Sequence, residues 1–190
     1  MIRSASPDAA LLHWTIMRRL LILPLVVPLL AACGPTEQPP PAASSPTPSN
    51  TPAPRIPPSP EPTGKGPCPY LGTEFVSDAN GQKVSKVKTS ADQPHPTCFF
   101  YALSGKLQLT VRVYVGEPAV AKAMVDQAAP IDTSNPADEP AGWKGGYQPS
   151  GDGAVYAVAK GGNAVVVTTN QKQSVKARTV AKEAIGELKL

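Results

Sequence analysis

The side chains able to do covalent or acid–base chemistry are few in this chain of 190 residues, which holds three cysteines and two histidines. A serine hydrolase needs a base, and beyond the N-terminal region the sole histidine is His95, clamped between Pro94 and Pro96; no Gly-x-Ser-x-Gly elbow is present. Cys68 and Cys98 lack the Cys-x-x-Cys spacing of a redox or metal pair, and two thiols with one imidazole do not close a zinc site. Asp132, Asp138, Glu139 and Asp152 fall on segments that read as loops, where they either converge as an acid pair or remain solvated charges. The run "DTSNPADEPAGW" from Asp132 fails as a calcium loop, with Ala137 where glycine must turn and Trp143 where a bidentate glutamate must stand. Gly142, Gly145 and Gly146 match no phosphate-binding loop. No catalytic residue, metal ligand or cofactor is assigned, and an enzyme is not the expectation.

Cys33 has a different setting. Arg18 and Arg19 precede an apolar run from Leu20 to Leu30, and small Ala31 and Ala32 follow. The run is too short for a comfortable membrane span and has the layout of a secretory signal. Leu30-Ala31-Ala32-Cys33 resembles a bacterial lipoprotein signal, in which the thiolate accepts a diacylglycerol and cleavage leaves the lipidated cysteine at the new N-terminus. Residues 1–32 are therefore expected to be a signal peptide, with "MRRLL" as its basic start and Met17 a candidate for the true initiator. The predicted location is the outer face of the cytoplasmic membrane, anchored through Cys33 and extending into the cell wall.

Residues 33–67 read as the lipidated cysteine and a disordered tether. More than half of the chain's 24 prolines lie there, with almost no large apolar side chain to offset chain entropy. At about 3.1 Å per residue in polyproline II, such a tether would reach roughly 100 Å. Residues 68–190 are long enough for one small α+β domain. The net charge of +4 partly reflects arginines in the signal, and no basic cluster alternates with aromatics, which excludes nucleic acid as a partner. With Cys33 committed to lipid, Cys68 and Cys98 form an even pair in an oxidising compartment, and a disulfide is expected, worth about 3–4 kcal/mol on the chain-entropy model.

These residues need a scaffold, and the punctuation supplies one. Asn80-Gly81, Ser104-Gly105 and Gly161-Gly162 read as tight hairpin turns. Strands are predicted at Thr97–Leu103, Leu107–Val115, Ala154–Lys160 and Asn163–Thr169, with a weaker hairpin around Phe75 and Val84. Pro118 opens a helix whose face carries Val120, Ala121, Met124, Val125 and Ala128, and Ser174 caps a second with Ala177, Val180, Ala181, Ala184, Ile185 and Leu188. The expected fold is an antiparallel sheet of four to six strands with two helices packed on one face, in an imperfect hairpin–helix duplication.

Two surfaces stand out as binding candidates. A two-residue turn at Ser104-Gly105 pairs Phe100 with Leu109 and Cys98 with Val111 on the helix-covered face, which sends Phe99, Tyr101, Arg112 and Tyr114 to the other side. That group is either a docking face or a minor core under the Cys68–Phe75 segment. The second surface is the polar edge Asn170, Gln171, Lys172 and Gln173 ahead of the last helix, which either meets a ligand near the helix N-terminus or merely turns and caps.

"CPYLG" at Cys68, "CFFY" at Cys98, "VRVYVG" at Val111, "AGWKGG" at Ala141 and "TTNQKQSVKAR" at Thr168 resemble an actinobacterial envelope family catalogued as domain of unknown function 2020. The resemblance implies a secreted or lipid-anchored domain and supplies no catalytic residue. The function expected is a non-catalytic binding domain for an envelope protein, wall polymer or lipid; the alternatives are a small-molecule module and a carboxylate-based wall hydrolase.

Overall fold

The computed structural model describes residues 53–190; Cys33, the signal peptide and the first part of the tether lie outside them. Among the described residues the strands are β1 (Gly64–Lys65), β2 (Val84–Thr89), β3 (Cys98–Ala102), β4 (Leu107–Val115), β5 (Asn135–Glu139), β6 (Trp143–Ser150), β7 (Gly153–Lys160) and β8 (Asn163–Thr169). The helices are α1 (Thr73–Asn80), α2 (Pro118–Ala128) and α3 (Ser174–Leu188). All strands join one open antiparallel sheet in the order β1-β2-β3-β4-β8-β7-β6-β5. A three-strand meander followed by a helix thus occurs twice, as β2-β3-β4-α2 and β6-β7-β8-α3.

The fold is α+β with an antiparallel sheet, as the sequence implied, but eight strands replace the expected four to six. The strands missed are the two-residue β1, inside the expected tether, and β5 "NPADE" and β6 "WKGGYQPS", whose proline and glycine content argues against a strand. Pairing overrides propensity: Pro136 sits on an edge strand, where its missing N–H is harmless. The hairpin expected around Phe75 is instead α1, and Asn80-Gly81 ends it, with Gly81 at φ 67 as a left-handed cap whose N–H bonds back to Asp78. A glycine suited to a hairpin turn suits a helix C-cap equally well. Ser174 opens α3 one residue after its N-cap, Gln173.

A second correction concerns the helices, which lie on opposite faces of the sheet rather than on one. Alternate residues of a strand point to opposite faces. Val158, Val165 and Val167 share a cluster with Ala177, Val180, Ala181 and Ala184 of α3, whereas Ala157 and Ala164 pack with Ala121 and Val125 of α2 and its C-cap, Ala129. The reason is written in β7 and β8: "AVYAVA" and "AVVV" are apolar on both faces, so both need cover. Small side chains on the α2 side let that helix approach closely; a Cβ on Gly145 would lie 2.9 Å from Val125 Cγ1 and 2.0 Å from the Ala157 carbonyl oxygen.

The β3–β4 register contains a compensated error. The turn has three residues, Leu103-Ser104-Gly105, closed by Ala102 N–H to Lys106 O at 2.9 Å with Gly105 at φ 78. That shifts Tyr101 opposite Leu107, yet Phe100 still faces Leu109 and Cys98 still faces Val111, because Gln108 is an extra residue bulged out of the ladder.

Candidate functional site

The bulge at Gln108 organises the polar edge. It turns the Gln108 side chain inward, where Asn80 Nδ2 donates to Gln108 Oε1 at 2.8 Å and Gln108 Nε2 donates to Lys83 O at 3.2 Å. Thr169 Oγ1 donates to Asn80 Oδ1 at 2.5 Å, and Lys176 Nζ reaches both Asn80 O and Gln171 Oε1 at 3.0 Å. Asn170 Nδ2 donates to Gln82 Oε1 at 2.9 Å. Asn80, Gln108 and Thr169 are buried, and every buried side-chain polar atom among the described residues has a partner. This network clasps the end of α1, the bulge of β4 and the β8–α3 connection together, so the "TTNQKQS" motif is largely consumed by structure. Asn170 and Gln171 belong to the clasp, while Lys172 and Gln173 are exposed beside it.

The acidic candidates do not converge. Asp132, Asp138 and Asp152 are exposed, and Glu139 is buried with fixed partners. Arg178 donates to both Glu139 oxygens through Nε and Nη2, and the Tyr156 hydroxyl donates to Oε1 at 2.6 Å. The Arg178 hydrogen bonds hold the Glu139 carboxyl below its ordinary value against the opposing effect of burial, and burial together with the Glu139 bond pushes the Tyr156 phenol up. A general acid needs the reverse arrangement, a carboxyl kept protonated. The triad pins the end of β5 to β7 and α3, beside a shallow cleft of about 420 Å³. Among the described residues no group of three His, Cys, Asp or Glu side chains is placed to hold a metal ion.

Cys68 and Cys98 are joined in a disulfide with Cα atoms 5.6 Å apart. Of the aromatic face, Phe99 is buried, and Tyr101 is half-buried with Lys86 Nζ 4.8 Å from its ring centroid. Tyr114 packs against the α2 cluster. Arg112 Nη2 donates to Pro57 O at 3.1 Å and Pro58 O at 2.8 Å. The face is therefore covered, but not by Cys68–Phe75, since Tyr70 and Leu71 join the core on the other side with Cys98 and Val111. The cover is α2 at one end and the proline-rich segment at the other. Tertiary contacts accordingly begin before Cys68: β1 pairs Gly64 with Thr89 and Lys65 with Lys88. Composition alone gives no sign of this, because the hold on Pro57 and Pro58 acts through backbone carbonyls.

An open groove on the α2 side of the sheet lies between α2 and β6. This groove has a volume of about 780 Å³, and its floor and walls include Val125, Ala129, Ile131, Gly145 and Ala159. Ile131 is 75% exposed, a large apolar side chain standing at the rim with no protein cover. Lys122, Lys144 and Lys160 line the same groove, against one acid, Asp126, which pairs with Lys122 at 2.5 Å. The Lys160 ammonium turns to the α3 side instead, its Nζ 5.6 Å from the centroid of the Trp143 ring and bonded to Leu190 O at 3.5 Å. Gly145 and Gly146 set the depth of the groove's floor by letting α2 and Ser134 pack close to β6; a Cβ on Gly146 would meet Ser134 Oγ at 2.4 Å and Ala129 Cβ at 3.1 Å. Sequence reasoning dismissed this glycine pair as a failed phosphate loop. Its useful signal was the juxtaposition of a Gly-Gly pair with the small stripe Ala121, Val125, Ala129, which becomes visible only once β6 is known to be a strand.

Residues 52–190 match the model of a family described as a domain of unknown function, DUF2020. No curated protein matches the chain.

Proposed function

The chain belongs to that family, whose description assigns no activity, and we propose from the geometry that it is an envelope-anchored, non-catalytic binding domain whose ligand seat is the groove between α2 and β6. The observation carrying this reading is an open apolar groove of about 780 Å³ flanked by lysines. Its size fits a small ligand, and its wall chemistry favours a molecule with an apolar body and an anionic head. An acyl chain along Val125, Ala129 and Ala159 with its head between Lys122 and Lys144 meets both requirements. A wall hydrolase is the weaker reading, because the one buried carboxylate among the described residues, Glu139, is held ionised by Arg178.

The anchor on Cys33 rests on the sequence of the signal, and the proline-rich tether carries the domain away from the bilayer. Detergent-phase partitioning that survives Cys33→Ser would contradict the anchor.

The groove is tested with dodecyl phosphate, a single-chain anionic amphiphile, titrated calorimetrically below its micelle concentration. One saturable site is expected, weakened at least about tenfold by Ala159→Trp, which fills the floor, and by Lys122→Glu with Lys144→Glu, with melting nearly unchanged. Absence of saturable binding, or binding indifferent to all three substitutions, would overturn the proposal.

A further inference from the structure

The contact between Arg112 and the proline-rich segment is the observation that the binding groove leaves unused. Consecutive prolines carry no N–H and cannot join a sheet ladder, and in a polyproline II segment the carbonyls have no internal partner. They are captured by an external donor lying near an aromatic surface. Arg112 is such a donor, with Nη2 bonded to the carbonyls of both Pro57 and Pro58, and Phe99, Tyr101 and Tyr114 lie on the same sheet face. Its guanidinium is partly buried, and burial lowers its pKa against the opposing charge of Asp92. A desolvated cation of this kind must keep its acceptors.

Residues 53–63 belong to no strand, and the chain reaches the sheet only at Gly64–Lys65. Gly66, at φ 139, adopts a conformation that L side chains rarely take. The strap joins the domain through the short stretch Gly64–Lys65–Gly66, about which it can leave as a unit, giving up its bonds to Arg112 and its cover of the sheet face together.

We propose that this sheet face is a docking surface for the proline-rich strap of a second copy of the chain, with the contact seen inside one chain as its template. A strap that leaves its own Arg112 fits the Arg112 of a neighbour by the same contacts, so exchange conserves every interaction. Within one chain the strap competes at an effective concentration of about a millimolar, which keeps the dilute protein closed and monomeric. Crowded copies exchange straps and become linked.

Complementation between two full-chain variants, each also carrying Cys33→Ser, tests this. Arg112→Gln keeps a strap without its receptor, and Pro57→Gly with Pro58→Gly keeps a receptor without a rigid strap. The first lacks the donor for its own strap, and the second closes less readily because its strap is no longer pre-organised in polyproline II. At about 100 µM, well below the effective concentration within one chain, sedimentation velocity should show a heterodimer in the equimolar mixture at least tenfold more abundant than any dimer in either variant alone. Melting curves confirm that both are folded; if either is not, Arg112→Met, which keeps the apolar stem without a donor, and Pro58→Gly alone take their places. A mixture that sediments as monomers overturns the proposal. So does dimerisation of the strap-deficient variant by itself, which would require another surface.

Discussion

The two faces of the sheet solve the same problem by opposite means. On the face covered by α1 and α3, large side chains such as Tyr156, Phe100 and Leu109 fill the interlayer space, and a disulfide and two polar clusters lock its margins. On the other face, α2 sits on alanines and glycines, one margin is covered by a proline strap, and the other is left as a groove. The comparison teaches where to look for function. The polar residues that seem most distinctive in sequence are consumed in closing the first face, while the proposed ligand seat and docking surface belong to the second, built from residues with little chemistry of their own.

Breaking the closed face should have the largest effect. Reduction of the Cys68–Cys98 disulfide, which closes a separation of 30 residues, should lower stability by about 3–4 kcal/mol, seen as a fall in melting temperature of roughly 10 °C or more. Amphiphile binding measured below the new transition should be unchanged. A loss of binding without unfolding would mean that the two faces are coupled.

Removing the centre of the clasp comes next. Asn80→Leu leaves Gln108 Oε1 and the Thr169 hydroxyl proton buried without their Asn80 partner and should destabilise by about 2–3 kcal/mol by chemical denaturation. An effect below about 0.5 kcal/mol would show that the network is dispensable and would return "TTNQKQS" to the list of candidate sites.

The smallest of the closed-face effects is a dependence on pH. The folded-state pKa of Glu139 lies below its ordinary value, so its stabilising contribution is fully present above about 4.5 and is lost as pH falls toward the depressed value. Tyr156 is shifted upward, so its contribution is present below about 10 and is lost as pH rises through the folded-state value. Glu139→Gln should flatten the acid limb of a stability–pH profile and leave amphiphile binding intact. An unaltered acid limb would assign that limb to other carboxylates.

What the sequence revealed follows the same division. β4, β7 and β8 and both long helices were legible because their apolar patterns are regular, and the Cys68–Cys98 bond followed from parity. The side of the sheet that α2 occupies was missed, although the two-sided apolar runs of β7 and β8 announce it. β5 and β6 were hidden by Pro136, Gly145 and Gly146, residues that propensity assigns to loops and tertiary pairing places in strands. The strap was invisible for another reason, since a contact made through backbone carbonyls leaves no side-chain pattern. The pairs Phe100 with Leu109 and Cys98 with Val111 agree with the expected register only because a longer turn and a bulge cancel, while Tyr101 is shifted opposite Leu107.

The central claim is that the α2 face holds the ligand seat, and amide chemical-shift mapping of the labelled protein with dodecyl phosphate tests it most directly. The account predicts saturable shifts at Val125, Ala129, Ile131, Gly145 and Ala159, with Asn80, Gln108, Thr169 and the surroundings of Glu139 unmoved. Shifts concentrated around Glu139 and Arg178, or no saturable shifts at any concentration below micelle formation, would contradict it.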